Sequence, residues 1–349
     1  MSGHKKRSIL QKLPTVAALL LLVCTVFLVG CGKKETGQRY AYPLATASPE
    51  DTVTQIYAEK FAKEVDRLSK GRIKIQVYSN STLGGDRELL ESCKDGDIPF
   101  VVQNTAPQVT FMPDLGVFDV PCAFENLTEC REVMDDPEFS SMVHAVYEKG
   151  GYRLLGISDQ GFRVMSTNKA VHSIKDFKGQ KIRTMENPFH LEFWKSIGAN
   201  PTPMSFSEVY IGLQQNTIDA QENPYEVIVS NKLYEQQDYV VETNHLPHLI
   251  TLIMNDDFYK NMPAENQKIM RQAAAIATEY SRKASDDRIA DRMKTIRDSG
   301  TKILKLNGKT RKAMIDASAG VRKDIRKSVD SKLYDKYMAL IEAHEDEKI

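Results

Sequence analysis

Residues 205–224 read Ser205-Phe206-Ser207-Glu208-Val209-Tyr210-Ile211-Gly212-Leu213-Gln214-Gln215-Asn216-Thr217-Ile218-Asp219-Ala220-Gln221-Glu222-Asn223-Pro224, and their periodicity sets the fold class. Ser205 followed three positions later by Glu208 is a capping box, which predicts a helix running to Gln215. Ile218 to Gln221 then reads as a strand, and Asn223-Pro224 opens another helix.

The same exchange continues outward. Upstream, a short helix after Ser173 ends at Gly179 before a strand over Lys181–Thr184, and apolar strands precede it at Tyr152–Ile157 and Phe162–Thr167. A long helix is expected from about Leu127 to Glu148, with strands near Val117–Val120 and Ile98–Gln103. Gly84-Gly85 is a turn leading into a short helix around Leu89 and Leu90. Nearer the N-terminus, Ser48 reads as an N-cap with Pro49 at the first helical position. Val53, Ile56, Tyr57, Phe61, Val65 and Leu68 form that helix's apolar face before Gly71 stops it, and Ile73, Ile75 and Val77 then alternate as a half-buried strand. Such trading of periods argues for α/β layers with mostly parallel strands.

Downstream of Pro263 no Gly or Pro occurs before Gly300, and Ile269, Met270, Ala273, Ile276, Ala277, Tyr280 and Ala284 recur at helical spacing. At 1.5 Å per residue this helix spans roughly 50 Å, longer than one domain is wide, so it is expected to lie across two lobes. The tail from Gly308 is charged and helical, with Met314, Ile315, Val321 and Ile325 on a packed face.

The N-terminus sets the compartment. Lys5, Lys6, Arg7 and Lys12 precede an apolar run from Val16 to Val29, the pattern of an export signal. Leu28-Val29-Gly30-Cys31 resembles the bacterial lipobox, which predicts a signal peptide over 1–30, lipid attachment at Cys31 and a tether over 31–39. Removing 1–30 takes four of the 47 basic residues and no acidic one, leaving 43 against 47 and a net charge of −4. That balance excludes nucleic acid as a partner. The remaining length suits two lobes. Cys93, Cys122 and Cys130 are the cysteines left to pair; Cys122 and Cys130 either bridge a short loop or are buried thiols like Cys93.

Nothing in the chain carries a catalytic pattern. It lacks a Gly-x-Ser-x-Gly elbow, a phosphate-cradling glycine loop and a His-Glu-x-x-His zinc motif. His245 and His248, near Glu242, are separated by Pro247 and read as structural rather than as metal ligands. No cofactor, metal or enzymatic activity is expected.

Several motifs occur together in a fixed order: Leu83-Gly84-Gly85-Asp86-Arg87, Val117-Phe118-Asp119-Val120-Pro121, Gly161-Phe162-Arg163, Lys175 to Arg183, Gly198 to Pro203, Phe206 to Tyr210 and Leu213 to Pro224. As a set they closely resemble the solute-binding proteins of TRAP transporters, over nearly the whole mature chain. The resemblance implies an α/β, two-lobed periplasmic-binding-protein fold of type II-like form, with mixed sheets and a lobe-spanning helix. Lobe I is expected over 40–160 and 249–285, and lobe II over 161–248 and 286–349 including the C-terminal helices.

The resemblance also implies that Arg183 grips a ligand carboxylate with two prongs, that Arg163 supports it and that Asn223 offers its amide. A guanidinium suits this role because it stays charged when desolvated and presents parallel N–H donors. Taken without the resemblance, Arg183 reads as an exposed arginine at a strand end, Arg163 as half of a surface ion pair and Asn223 as the cap of the helix beginning at Pro224. Phe206 is expected at the cleft wall or in the core. Asn104 and Asn187 are candidates for contacts to the rest of the ligand, and Arg87 and Glu88 for contacts from the facing lobe. In sialate-binding relatives the position of Asn104 is acidic and that of Pro107 basic, so this chain departs from them. The expected ligand is a small carboxylate, a sugar acid such as a uronate or aldonate, with a C4-dicarboxylate as the alternative. The expected partners are a small and a large membrane subunit of a permease driven by an ion gradient, and the membrane itself through the lipid; a ligand-presenting receptor for a sensor protein is a second possibility.

Overall fold

A computed structural model describes residues 39–346. In chain order its elements are β1 (Tyr40–Ala45), α1 (Val53–Leu68), β2 (Ile73–Tyr78), α2 (Asp86–Asp95), β3 (Phe100–Asn104), α3 (Leu127–Asp135), α4 (Pro137–Gly150) and β4 (Tyr152–Thr167). There follow β5 (Lys181–Thr184), α5 (Pro188–Ser196), β6 (Asn200–Pro203), α6 (Val209–Gln214), β7 (Ala220–Asn223), α7 (Tyr225–Ser230) and β8 (Tyr239–Asn255). The chain closes with α8 (Asp256–Lys260), α9 (Ala264–Asp298), β9 (Lys302–Lys305), α10 (Gly308–Ala317), α11 (Ala319–Ser328) and α12 (Ser331–Asp346).

The strands form one mixed sheet in the order β2-β1-β3-β8-β4-β7-β5-β6, with β9 added beside β8. Its backbone is the antiparallel pair of long strands β4 and β8. At one end of the pair, β8 residues 250–254 join β3, and β1 and β2 continue the first lobe in parallel. At the other end, β4 residues 164–167 join β7, then β5 and β6, while β9 runs parallel to β8. Register slips between Asp159 and Phe162, where Gly161 takes φ +93°, so a bulge marks the crossing between the two ends.

Each end buries apolar residues on both faces. In the first lobe Tyr57, Phe61, Phe100 and Met270 pack together on one face, and Phe118, Phe139, Tyr147 and Tyr152 on the other. In the second, Phe177, Ile182 and Trp194 form one cluster and Val164, Leu213 and Ile228 another. The α9 helix serves both: Ala273 and Ala277 belong to a first-lobe cluster and Ile296 to a second-lobe one. It lies so close to β4 that a Cβ on Gly156 would collide with Thr278 Oγ1 and the Tyr57 hydroxyl.

Several local expectations need correction. The first helix begins at Val53, four residues past Pro49, because Asp51 adopts φ +56° and Thr52 is the cap, accepting from Gln55 N. The segment Pro113–Asp119 is a 3-10 helix and not a strand. The expected helix over 127–148 is two, broken at Asp136-Pro137, with Asp136 capping the second by accepting from Phe139 N. The strands expected at 152–157 and 162–167 are one bulged strand. Of the C-terminal helices, expected in the second lobe, α10 buries Met314 in a second-lobe cluster, whereas Val321, Ile325, Leu333 and Tyr337 of α11 and α12 are buried in the cluster containing Phe118 and Phe139, and α11 also packs on α5 of the second lobe. Cys93, Cys122 and Cys130 are buried free thiols. The expected signal segment and Cys31 lie outside the described residues, among which no helix is long and apolar enough to cross a membrane.

Candidate functional site

Arg163 on β4 and Arg183 on β5 are each 1 % exposed, but their surroundings differ. Every nitrogen of the Arg163 guanidinium is occupied within the protein. Its Nε pairs with Glu222 Oε2, and its Nη2 donates to Glu222 Oε1 at 2.8 Å and the Glu222 carbonyl at 2.5 Å. Nη2 also reaches Asn223 Oδ1 at 3.3 Å, and Nη1 donates to His248 Nδ1 at 2.5 Å. Glu222 Oε2 accepts in addition from His245 Nε2 at 3.0 Å, and Thr243 Oγ1 lies 2.9 Å from His245 Nδ1. Burial pushes the Glu222 carboxyl up, yet Arg163 and His245 overcome it and hold the group far below the usual carboxylate range. Burial, helped by the charge of Arg163, lowers the His245 pKa although Glu222 pulls it upward. This is a complete buried network tying β4, β7 and β8.

Arg183 has no such counter-charge: among the described residues it forms no ion pair. Its Nε and Nη2 both donate to the Met204 carbonyl, at 2.9 and 2.7 Å, which leaves the Nη1–Nη2 edge for something else. Burial lowers its pKa to about 10, with Glu222 pulling upward and Arg163 adding to the fall. The Phe206 ring centre stands 5.9 Å from the guanidinium carbon.

Two adjoining cavities, of about 30 and 80 Å³, meet at Arg183 and share Asp86, Met185 and Phe206 with it. The inner one is walled by Ser48, Pro49 and Asn104 from the first lobe and by Asn223, Val227 and His248. The outer one opens past Arg87, Glu88, Pro107 and Glu186. Larger grooves of about 340 Å³ beside Gly156 and about 590 Å³ beside Gly300 hold no buried ion without an ion partner.

The structure therefore brings Arg183, Asn223, Phe206 and Asn104 to one space. Asn223 ends β7 and gives one N–H to Gln221 Oε1 at 2.7 Å; it makes no cap hydrogen bond to α7. Asn104 braces its own turn, donating to the Leu249 carbonyl at 2.8 Å and accepting from Ala106 N at 2.9 Å. Arg87 and Glu88 border only the outer cavity, and Arg87 is paired with Glu91 at 3.2 Å and set over the Phe111 ring. Arg163 lines neither cavity and stands behind the wall.

Asn187 lines neither cavity. It caps α5 by accepting from Phe189 N and His190 N, and its amide donates to the Ala106 carbonyl at 2.9 Å and Asp119 Oδ2 at 2.7 Å. It is a tie between lobes, reinforced by His190 Nε2 at 2.9 Å from Asp119 Oδ1. A second tie lies at the cleft rim: Arg288 and Arg292 of α9 bridge Asp51 of the first lobe, at 2.7 and 2.8 Å, and Glu226 of α7, at 2.9 and 3.0 Å.

Asp86 and His248 line the cavity without having been expected to face a ligand. Asp86 opens α2 inside a quoted motif, but only the fold turns it to the cavity, where burial raises its carboxyl although Gln103 donates to it at 3.1 Å. His248, read from the sequence as structural, is the other.

Residues 44–328 match the family DctP, bacterial extracellular solute-binding protein, family 7. The chain belongs to this family, the TRAP solute-binding proteins. Its relatives include a solute-binding protein of Verminephrobacter eiseniae, 34 % identical over 70 % of this chain and 73 % of that one. Another is the 2,3-diketo-L-gulonate-binding periplasmic protein YiaO of Escherichia coli, 30 % identical over 77 % of this chain and 82 % of that one. Among solved structures, the sugar acid binding protein DctPAm from Advenella mimigardefordensis in complex with galactonate superposes with a TM-score of 0.84. It is 25 % identical, covering 88 % of this chain and 99 % of that one. TRAP solute-binding proteins are periplasmic transport components that work with membrane permease subunits, and the family is not one of enzymes.

Proposed function

We propose that this TRAP solute-binding protein captures a small monocarboxylate, a sugar acid such as an aldonate or uronate, and delivers it unchanged to a small and a large membrane subunit. The lipid on Cys31 holds it at the envelope surface. One observation carries the reading: Arg183 is a buried guanidinium without a counter-ion among the described residues, with one edge free toward the cavity. A buried charge is tolerable only when paired and hydrogen-bonded, so the closed site is completed by an anion, and a planar carboxylate fits that edge. Ligand thus favours the closed form by differential affinity.

The rest of the cavity decides what the anion is attached to. Asp86, Glu88 and Glu186 line it, and the basic Arg87 is paired to Glu91. A second carboxylate would meet acidic groups, whereas hydroxyls donate to Asp86; this favours a polyhydroxy acid over a C4-dicarboxylate. The galactonate complex and the diketogulonate-binding relative agree with that chemistry.

Titration calorimetry and thermal shift against D-galactonate, D-galacturonate and succinate test the proposal. A ligand at a hundred times its Kd adds about 2.7 kcal/mol of stability. Arg183→Ala is expected to lose roughly 2–5 kcal/mol of binding, about 30- to several-thousand-fold. Binding as tight as wild type in that variant would sink the assignment. The anchor is checked separately, by whether Cys31→Ser moves the protein from the membrane to the soluble fraction.

A further inference from the structure

His248 sits on β8 at 5 % exposure, on the wall of the same inner cavity as Arg183. Its Nδ1 receives Nη1 of Arg163 at 2.5 Å. A guanidinium has donors only, so Nδ1 must be the acceptor, and the ring's one proton must be on Nε2. Burial, and then the Arg163 charge, keep the ring far below its ordinary pKa; His190 adds to this and Glu222 opposes it, with both Glu222 oxygens already occupied by Arg163 and His245. Nε2 has no partner among the described residues, yet it is not a sealed, orphaned atom, so the N–H opens to the cavity.

We infer that His248 is a specificity-determining residue, which presents a fixed, neutral Nε2–H to an oxygen of the captured acid beside its carboxylate. The inner cavity is only about 30 Å³, so the oxygen it meets lies within a few atoms of the group on Arg183. The ligand class is thereby narrowed to 2-hydroxy or 2-oxo acids, whose C2 oxygen accepts this bond. An acid lacking that oxygen leaves the donor buried and unpaired, a penalty large enough to discriminate. The inference rests on the carboxylate reading of Arg183 and adds the neighbouring atom.

The test is a selectivity ratio: the affinities of D-galactonate and 2-deoxy-D-galactonate for wild type, His248→Leu, His248→Gln and Arg183→Ala, by calorimetry. Wild type is expected to prefer the 2-hydroxy acid by about tenfold or more. His248→Leu brings the ratio near one, and His248→Gln, which places an amide N–H near the Nε2 position, restores part of it. A merely structural histidine would weaken both acids equally and leave the ratio unchanged. If Arg183→Ala abolishes binding of both acids while His248→Leu keeps the wild-type ratio, the role of His248 is wrong and the carboxylate reading stands. If wild type binds neither acid, or Arg183→Ala binds them undiminished, both readings fall.

Discussion

Replacing Arg183 by methionine should shift the empty protein toward its closed form while abolishing ligand binding. With the lobes together the guanidinium is 1 % exposed and has no counter-ion among the described residues, and burial lowers its pKa from 12.5 to about 10. At 1.36 kcal/mol per pKa unit, the charged form is about 3 kcal/mol worse off there than in water. Because the fall is in a base, this penalty is present at every pH at which the buried group is charged, neutral pH included, and it opposes closure without ligand. Arg183→Met removes it but leaves the Met204 carbonyl without its donors, at a cost of about 1 kcal/mol. The net of about 2 kcal/mol corresponds to about 30-fold more closed protein in the absence of ligand. Fluorophores on Leu83→Cys and Ile211→Cys, exposed sites in the first and second lobes, would read the distance in single molecules, since Cys93, Cys122 and Cys130 are buried. D-galactonate should shorten that distance in wild type and leave the variant unmoved. If empty Arg183→Met is as open as empty wild type, the guanidinium is not the charge that holds the lobes apart.

Other consequences follow from the same coordinates. Glu222→Gln should cost about 3–5 kcal/mol at pH 7, because it leaves Arg163 buried without its counter-charge. Since the native Glu222 pKa is depressed, its contribution is present above the ordinary 4.5 and lost as pH falls further; urea denaturation from pH 7 to 3 should show an acid-dependent loss in wild type that the variant lacks. Glu226 has the opposite sign: burial raises it to about 7 although Arg292 pulls it down, so its contribution is full below 4.5 and lost as pH rises through 7. Glu226→Gln should flatten that decline when denaturation midpoints at pH 5 and 8 are compared. Gly156→Ala should destabilise by about 1–3 kcal/mol in the same assay, since the new methyl group would press on the hydrogen-bonded pair of Tyr57 and Thr278, 2.6 Å apart.

Local signals carried the parts of the fold that local interactions build. The α9 helix was legible because no Gly or Pro interrupts it and its apolar positions recur at helical spacing. The β8 strand was not, since its second half is buried on both faces, so it shows no alternation, and Pro247 stands within it opposite Phe162 at the bulge. Ser48-Pro49 imitates a helix start, yet the chain uses it as cavity wall and delays the helix to Thr52. At the site, motif resemblance pointed to both arginines, but their division of labour depends on Glu222, 59 residues from Arg163 in sequence and adjacent only through the pairing of β4 and β7. Asn187 shows the converse: an asparagine four residues beyond Arg183 suggested a ligand contact, whereas its place before Pro188 makes it the cap of α5.

That division of labour is also the basis of the proposed preference for a single negative charge. Arg163, Glu222 and His245 neutralise one another in a network fixed to three strands, so Glu222 cannot turn to Arg183: its Oε1 is held by Arg163, and its Oε2 by Arg163 and His245. Asp86 is the acid common to both cavity walls, but burial raises its carboxyl and its Oδ1 accepts from Gln103, with no ion pair to Arg183 among the described residues. One positive charge is then left uncompensated when the lobes meet. A neutral sugar leaves it unpaired, and a dianion brings a second charge against Glu88 and Glu186. A monoanion with hydroxyls along its length satisfies Arg183, His248 and Asp86 together.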